Sequence, residues 1–186
     1  MRTGQERMEG AVALALFVAT IPAANWMIGH VGTVCVPNGP CLLPVAPGIS
    51  APSGVLMIGL ALVLRDIVQR RLGLAFGMGA IAIGAALSAF LAPPAIVLAS
   101  TAAFLLSELA DLLVYTPLQR RRFVLAVVLS SAVGLVVDSA VFLLLAFGSL
   151  DFLAGQIIGK LWMVLLAIPV VAWIRRRDAR LGFGAA

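Results

Sequence analysis

Hydrophobic residues fall in six long runs, at 10–28, 53–69, 73–92, 95–116, 122–147 and 152–174. Each approaches the roughly 20 residues that carry a helix across a hydrocarbon core of about 30 Å. Polar residues gather between the runs. Arginine occupies positions 2 and 7, 65, 70 and 71, 120 to 122, and 175, 176, 177 and 180, while the connections after the first, third and fifth runs carry neither Lys nor Arg. Arginine clusters on alternate connections are the positive-inside signal, so the pattern predicts six spans with both termini and the even-numbered connections in the cytoplasm. The second run is the least regular. Arg65 and Asp66 come early in it, so its apolar part begins within 42–55 or runs tilted toward the arginine side.

Composition sharpens this picture. The 186 residues are 62% hydrophobic and 11% charged, with a mean hydropathy of +1.13. An ordinary soluble domain has roughly 25% charged residues. The expectation is one integral membrane domain over 1–186, an all-α six-helix bundle in the inner (cytoplasmic) membrane. A net charge of +5 would raise nucleic-acid binding in a soluble protein, but here the cations sit at the ends of apolar runs, which excludes it. A cleaved leader over residues 1–24 is the rival to the first span. Arg2 and Arg7 precede an apolar run ending Pro22-Ala23-Ala24, but Glu6 and Glu9 spoil the basic leader. Six spans permit an inverted 3+3 repeat, because a three-span unit re-enters the bilayer from the opposite side.

Small residues recur every fourth position at Ala11, Ala15, Ala19 and Ala23, and again at Ala80, Gly84, Ser88 and Ala92. Such stripes let backbones approach closely. Internal packing is the first expectation for both, and docking to another subunit, including a second copy, is the alternative.

Ionisable groups inside hydrocarbon need partners or a water-filled cavity. Four lie within the later runs: Glu108, Asp111, Asp138 and Lys160. Helical spacing puts Ser107, Glu108, Asp111 and Tyr115 on one side of the fourth helix. It groups Ser131, Gly134 and Asp138 on the fifth, and Gln156, Gly159, Lys160 and Met163 on the sixth. Three polar faces imply a shared polar interior. One reading has Lys160 merely pairing with Asp138 or Asp111 to hold the bundle. Three carboxylates to one lysine exceed that need, which favours a ligand that donates hydrogen bonds, or bound protons that neutralise one or two of the acids.

Other candidates are single residues. Asn25 and Trp26 follow Pro22, which loosens the first helix; Trp26 suits an interfacial anchor or a stacking platform. Arg65, Asp66 and Gln69 sit toward the arginine end of the second helix, where a gate and simple anchoring look alike. His30 has no neighbouring metal ligands, and no cofactor is implied. Cys35 and Cys41 share the connection 29–52, whose five intervening residues permit a disulfide in an oxidising exterior. That Pro- and Gly-rich connection has the makings of a lid. The chain has no phosphate-binding loop, no paired zinc histidines and no nucleophile beside a base, which counts against an enzyme.

The ordered polar positions resemble the vitamin-uptake-type (VUT) membrane family, whose characterised members are queuosine-precursor transporters that import 7-deazaguanine bases. The resemblance rests on Ala24-Asn25, Leu64-Arg65-Asp66, Gly73, Ser107-Glu108-Leu109-Ala110-Asp111, Gly134, Asp138-Ser139 and Lys160. Two positions depart: Glu108, where the family often has an amide, and Leu135, where it has Asn after the fifth-helix Gly. The resemblance implies a transporter that binds a small flat base and releases it inward. It matches Asn25, Glu108, Asp111, Asp138 and Lys160 as binding residues; Trp26, Tyr115 and Gln156 join the expected set from their own positions on the helices, with Arg65 and Asp66 expected as the gate and Trp26, Tyr115 or Trp162 as stacking partner. A substrate subunit of an energy-coupling-factor vitamin importer is the alternative.

Overall fold

The computed structural model describes residues 4–35, 40–92, 94 and 96–181; Arg2 lies outside them. Among the described residues, six helices follow one another: α1 (Gly4–His30), α2 (Val55–Leu72), α3 (Leu74–Leu91), α4 (Val97–Leu118), α5 (Phe123–Phe147) and α6 (Leu153–Leu181). Each coincides with one apolar run. Five of them, α1, α3, α4, α5 and α6, are long and apolar enough to cross a membrane. The exception, α2, carries Arg65, Asp66, Arg70 and Arg71 in its 18 residues.

Its position explains those charges. α2 packs against all five other helices, and its apolar residues serve two cores. Leu62 and Val63 join Phe123, Val127 and Val164 on one side. Ala61, Leu64 and Val68 join Phe17 and Phe104 on the other. Gly59 permits the tightest of these contacts, since a Cβ there would stand 2.4 Å from the Lys160 carbonyl oxygen. A helix wrapped by neighbours keeps its polar groups out of lipid.

The two ends of the bundle differ. At one, here the arginine end, α2 turns into α3 through the single residue Gly73, whose φ of 99° suits a residue without a Cβ. α6 continues beyond the expected end at 174, and its last turns are held by ion pairs. Asp178 accepts from Arg70 at 2.7 Å and Arg71 at 2.7 Å, while Glu9 meets Arg71 at 2.9 Å and Arg177 at 2.5 Å.

At the other end, the connection expected to be a loop forms an antiparallel sheet of β1 (Val34–Cys35), β2 (Cys41–Ala46) and β3 (Ile49–Pro52). The fold is therefore mostly helical rather than all-α. Short strands broken by Pro and Gly give little alternation for sequence reading to detect. Cys35 pairs with Cys41 across β1 and β2, and a disulfide joins them. The sheet rests on α1 and α6, and the Trp162 indole N–H donates to the Val45 carbonyl at 2.8 Å.

The two small-residue stripes have opposite fates. Ala80, Gly84, Ser88 and Ala92 are buried in the bundle as expected, whereas Ala11, Ala15 and Ala19 face outward. α1 packs instead through Gly10, Ala13, Phe17, Ile21 and Ala24. Larger side chains there bury more surface, and spacing alone does not reveal which face a helix turns inward.

Candidate functional site

Lys160 is 1% exposed. Its ammonium has three protons, and each finds an acceptor: Asp138 Oδ2 at 2.5 Å, Ser139 Oγ at 2.7 Å and Gln156 Oε1 at 2.8 Å. The sequence arranges this simply, with Gln156 one turn before Lys160 on α6 and Asp138 and Ser139 adjacent on α5. Among the described residues the second carboxylate oxygen of Asp138 accepts no hydrogen bond, and the residue borders a cavity of about 140 Å³. Asn25, Gln156 and Lys160 also line it, and Phe104, Phe142, Ile21 and Ile58 supply apolar wall. Asn25 donates its side-chain N–H to the Ile21 carbonyl at 2.9 Å, which leaves its amide oxygen for a ligand. The Ser88 and Ser100 hydroxyls, also in the wall, bond each other at 3.1 Å. Gly84 makes room for Phe104, whose ring would clash with any Cβ there. The cavity lies between α1–α3 and α4–α6, toward the sheet end, where Pro52 of β3 borders it.

Further toward the arginine end lies a second polar layer. Arg65 is fully buried at its centre. Its guanidinium donates Nε to Glu108 at 3.1 Å, one Nη to Gln69 at 3.0 Å and the other to Asp111, and it lies 3.0 Å from an Asp66 carboxylate oxygen. Ser130 donates to Asp66 at 2.9 Å, and the Tyr115 hydroxyl donates to the Asp66 carbonyl at 2.9 Å. Gln69 in turn donates to Thr116 at 3.0 Å. Gly134 of α5 stands opposite Asp111 and adds no side chain to the layer. A planar five-donor cation suits such a hub, because it satisfies several carboxylates from one position.

The sequence-derived set is thus divided. Asn25, Asp138, Gln156 and Lys160 meet at the cavity, while Glu108, Asp111 and Tyr115 join Arg65 and Asp66 in the layer. Asp111 therefore has its own cation, and the apparent excess of carboxylates over Lys160 omitted Arg65. Trp26 is 58% exposed and stacks on His30 with ring centres 5.1 Å apart. None of the three aromatic candidates lines the cavity: Trp162 is half exposed and Tyr115 is sealed in the layer. The aromatic walls are Phe104 and Phe142. Sequence reasoning missed both, although each lies one helical turn from a named acid, Phe104 before Glu108 and Phe142 after Asp138.

Five helices of spanning length and apolarity, enclosing buried ion pairs and a polar-floored cavity, define a multi-pass membrane protein. Residues 85–174 match the family model described as "Putative vitamin uptake transporter". This match supports assignment of the chain to the vitamin-uptake-type family of membrane transporters, the one its ordered polar residues resemble. The matched stretch holds Phe104, Glu108, Asp111, Asp138 and Lys160, while Asn25 and Arg65 precede it. The chain matches no curated protein and no solved structure.

Proposed function

We propose that the protein imports a queuosine precursor, a 7-deazaguanine base such as 7-cyano- or 7-aminomethyl-7-deazaguanine, across the cytoplasmic membrane. The observation that carries this reading is the cavity in which Lys160 and Gln156, the open oxygen of Asp138, and the rings of Phe104 and Phe142 converge. A guanine-like base presents two adjacent N–H donors, which a carboxylate accepts, and a carbonyl that takes a bond from an amide N–H such as that of Gln156, since the three protons of Lys160 are bonded within the cluster. Its faces stack on phenyl rings. In this reading α2 is the sixth span, the arginine end and both termini are cytoplasmic, and the cavity receives solute from outside. The Arg65–Asp66 layer is the gate, which opens as α1–α3 rock against α4–α6.

Thermal unfolding in detergent tests it. A ligand at about 100 times its Kd adds about 2.7 kcal/mol to the native state, so either deazaguanine should raise the unfolding temperature where riboflavin, thiamine and biotin do not. A shift with a vitamin and none with either base would overturn the assignment.

The outward-facing Ala11, Ala15 and Ala19 favour a second reading, a substrate subunit whose first helix docks on an energy-coupling module. Co-purification with an ATPase module would decide for it.

A further inference from the structure

A second cavity, of about 450 Å³, opens on the far side of the Arg65 layer, between the end of α2 and the end of α4. A continuous path of side chains joins it to the first. Phe104 lines the first cavity; one turn on, Glu108 accepts from Arg65, which donates to Gln69, and Gln69 lines the second cavity beside Thr116. The layer is thus a partition with a chamber on each side.

The second chamber is a built polar site. Gln119, on its wall, is 6% exposed, and among the described residues its side-chain amide has no hydrogen-bond partner. Its amide is not sealed in, so its donor and acceptor can both turn to a ligand in the chamber. Gly73 and Pro117 also border the chamber. Pro117 has no N–H to give the helix, so the wall lies where the regular bonding of α4 is interrupted.

We propose that this chamber is a release site for the transported solute, in which Gln119 and Gln69 hydrogen-bond its amide-like edge. The proposal rests on the transport reading above. An amide side chain offers one donor and one acceptor side by side, the complement of a lactam edge such as a deazaguanine carries. The two chambers also differ in charge: Asp138 and Lys160 line the first, whereas Arg120 is the charged residue on the wall of the second. The carboxylate that would accept a base's N–H groups in the first cavity has no counterpart in the second, so solute would be held more weakly there.

The test is solute protection of a thiol at this site. The Cys35–Cys41 disulfide leaves no free cysteine among the described residues, so Leu74→Cys, on the exposed rim of the chamber, introduces one reactive position and leaves Gln119 in place. Adding Gln119→Ala to that variant should remove the protection. Arg122→Cys, outside the chamber, is the control. Labelling by a membrane-impermeant maleimide is followed in inside-out vesicles with 7-cyano- or 7-aminomethyl-7-deazaguanine present. At about ten times Kd the solute leaves about a tenth of its sites free, so labelling in the chamber should slow about tenfold and the control should not change. Undiminished labelling, with a base that still raises the unfolding temperature of the unmodified protein, would overturn the release site and leave the transport reading standing. A base that neither protects nor shifts unfolding would overturn both.

Discussion

Lys160 and Arg65 are both buried cations bonded to carboxylates from another helix, yet their surroundings differ. Asp138, the partner of Lys160, borders a cavity and keeps an oxygen free, with its side chain 10% exposed. Around Arg65, the side chains of Asp66 and Asp111 are fully buried, and that of Glu108 is 2% exposed. In the reading proposed above, the same chemistry serves as a ligand site where one acceptor faces open space, and as a barrier where the carboxylates are closed in around Arg65, even though one oxygen each of Asp66 and Asp111 accepts no hydrogen bond there. Accessibility separates the two roles, since residue types do not.

The largest expected effect comes from the sealed layer. Arg65→Gln strands three buried carboxylates at once, and removing one partner of a buried pair typically costs about 3–5 kcal/mol. Unfolding in detergent should show a loss at or above that range. A near-unchanged midpoint would mean that water reaches the layer, and the contrast with Lys160 would fail.

Lys160→Ala should cost less, below about 3 kcal/mol, because the stranded Asp138 borders a cavity that water can enter. Uptake should nevertheless be lost. Pairing Asp138→Asn with Lys160→Gln should restore stability without restoring deazaguanine uptake. Full recovery of transport would reduce the cluster to a packing clamp.

Tyr115→Phe removes one hydrogen bond to the Asp66 carbonyl. It should cost about 1 kcal/mol and leave solute affinity unaltered. A changed affinity, measured by titration of the purified protein, would place the layer inside the binding site.

The smallest effect is expected at Trp26, which points away from the cavity. Trp26→Ala should stay within about 0.5 kcal/mol of the parent, as surface substitutions do, with affinity unchanged. A large loss of affinity would show that solute contacts the outer face of α1.

The helices are legible in the sequence because lipid demands long apolar runs; the run 73–92, for example, is the helix Leu74–Leu91. The polar faces of α4, α5 and α6 were legible for a related reason, since positions three and four apart share a side of a helix. Which face meets which was hidden. Arg65 stands close to Arg70 and Arg71 in sequence and so resembles an anchoring arginine, while its partners Glu108 and Asp111 lie 43 and 46 residues away. Nothing local to α2 distinguishes an arginine aimed at headgroups from one aimed at a carboxylate. The adjoining helices α2 and α3, each 18 residues long, show the same limit. Five residues of α3 are buried against twelve of α2, so the more polar helix occupies the middle of the bundle.

That central helix also constrains how the chain is made. α2 emerges from the ribosome with Arg65 and Asp66 exposed, and the acids that surround Arg65 follow only after another 43 to 46 residues. At roughly 5–20 residues per second, the interval is about 2 to 9 seconds. Each charge at mid-helix disfavours release into lipid by about 2.5–3.5 kcal/mol on insertion scales. α2 should therefore wait beside the translocation channel, already packed on α1, until α4 arrives. Membrane integration of this protein is then a delayed, concerted event, and a ribosome paused between α3 and α4 should leave α2 extractable while α1 is already embedded.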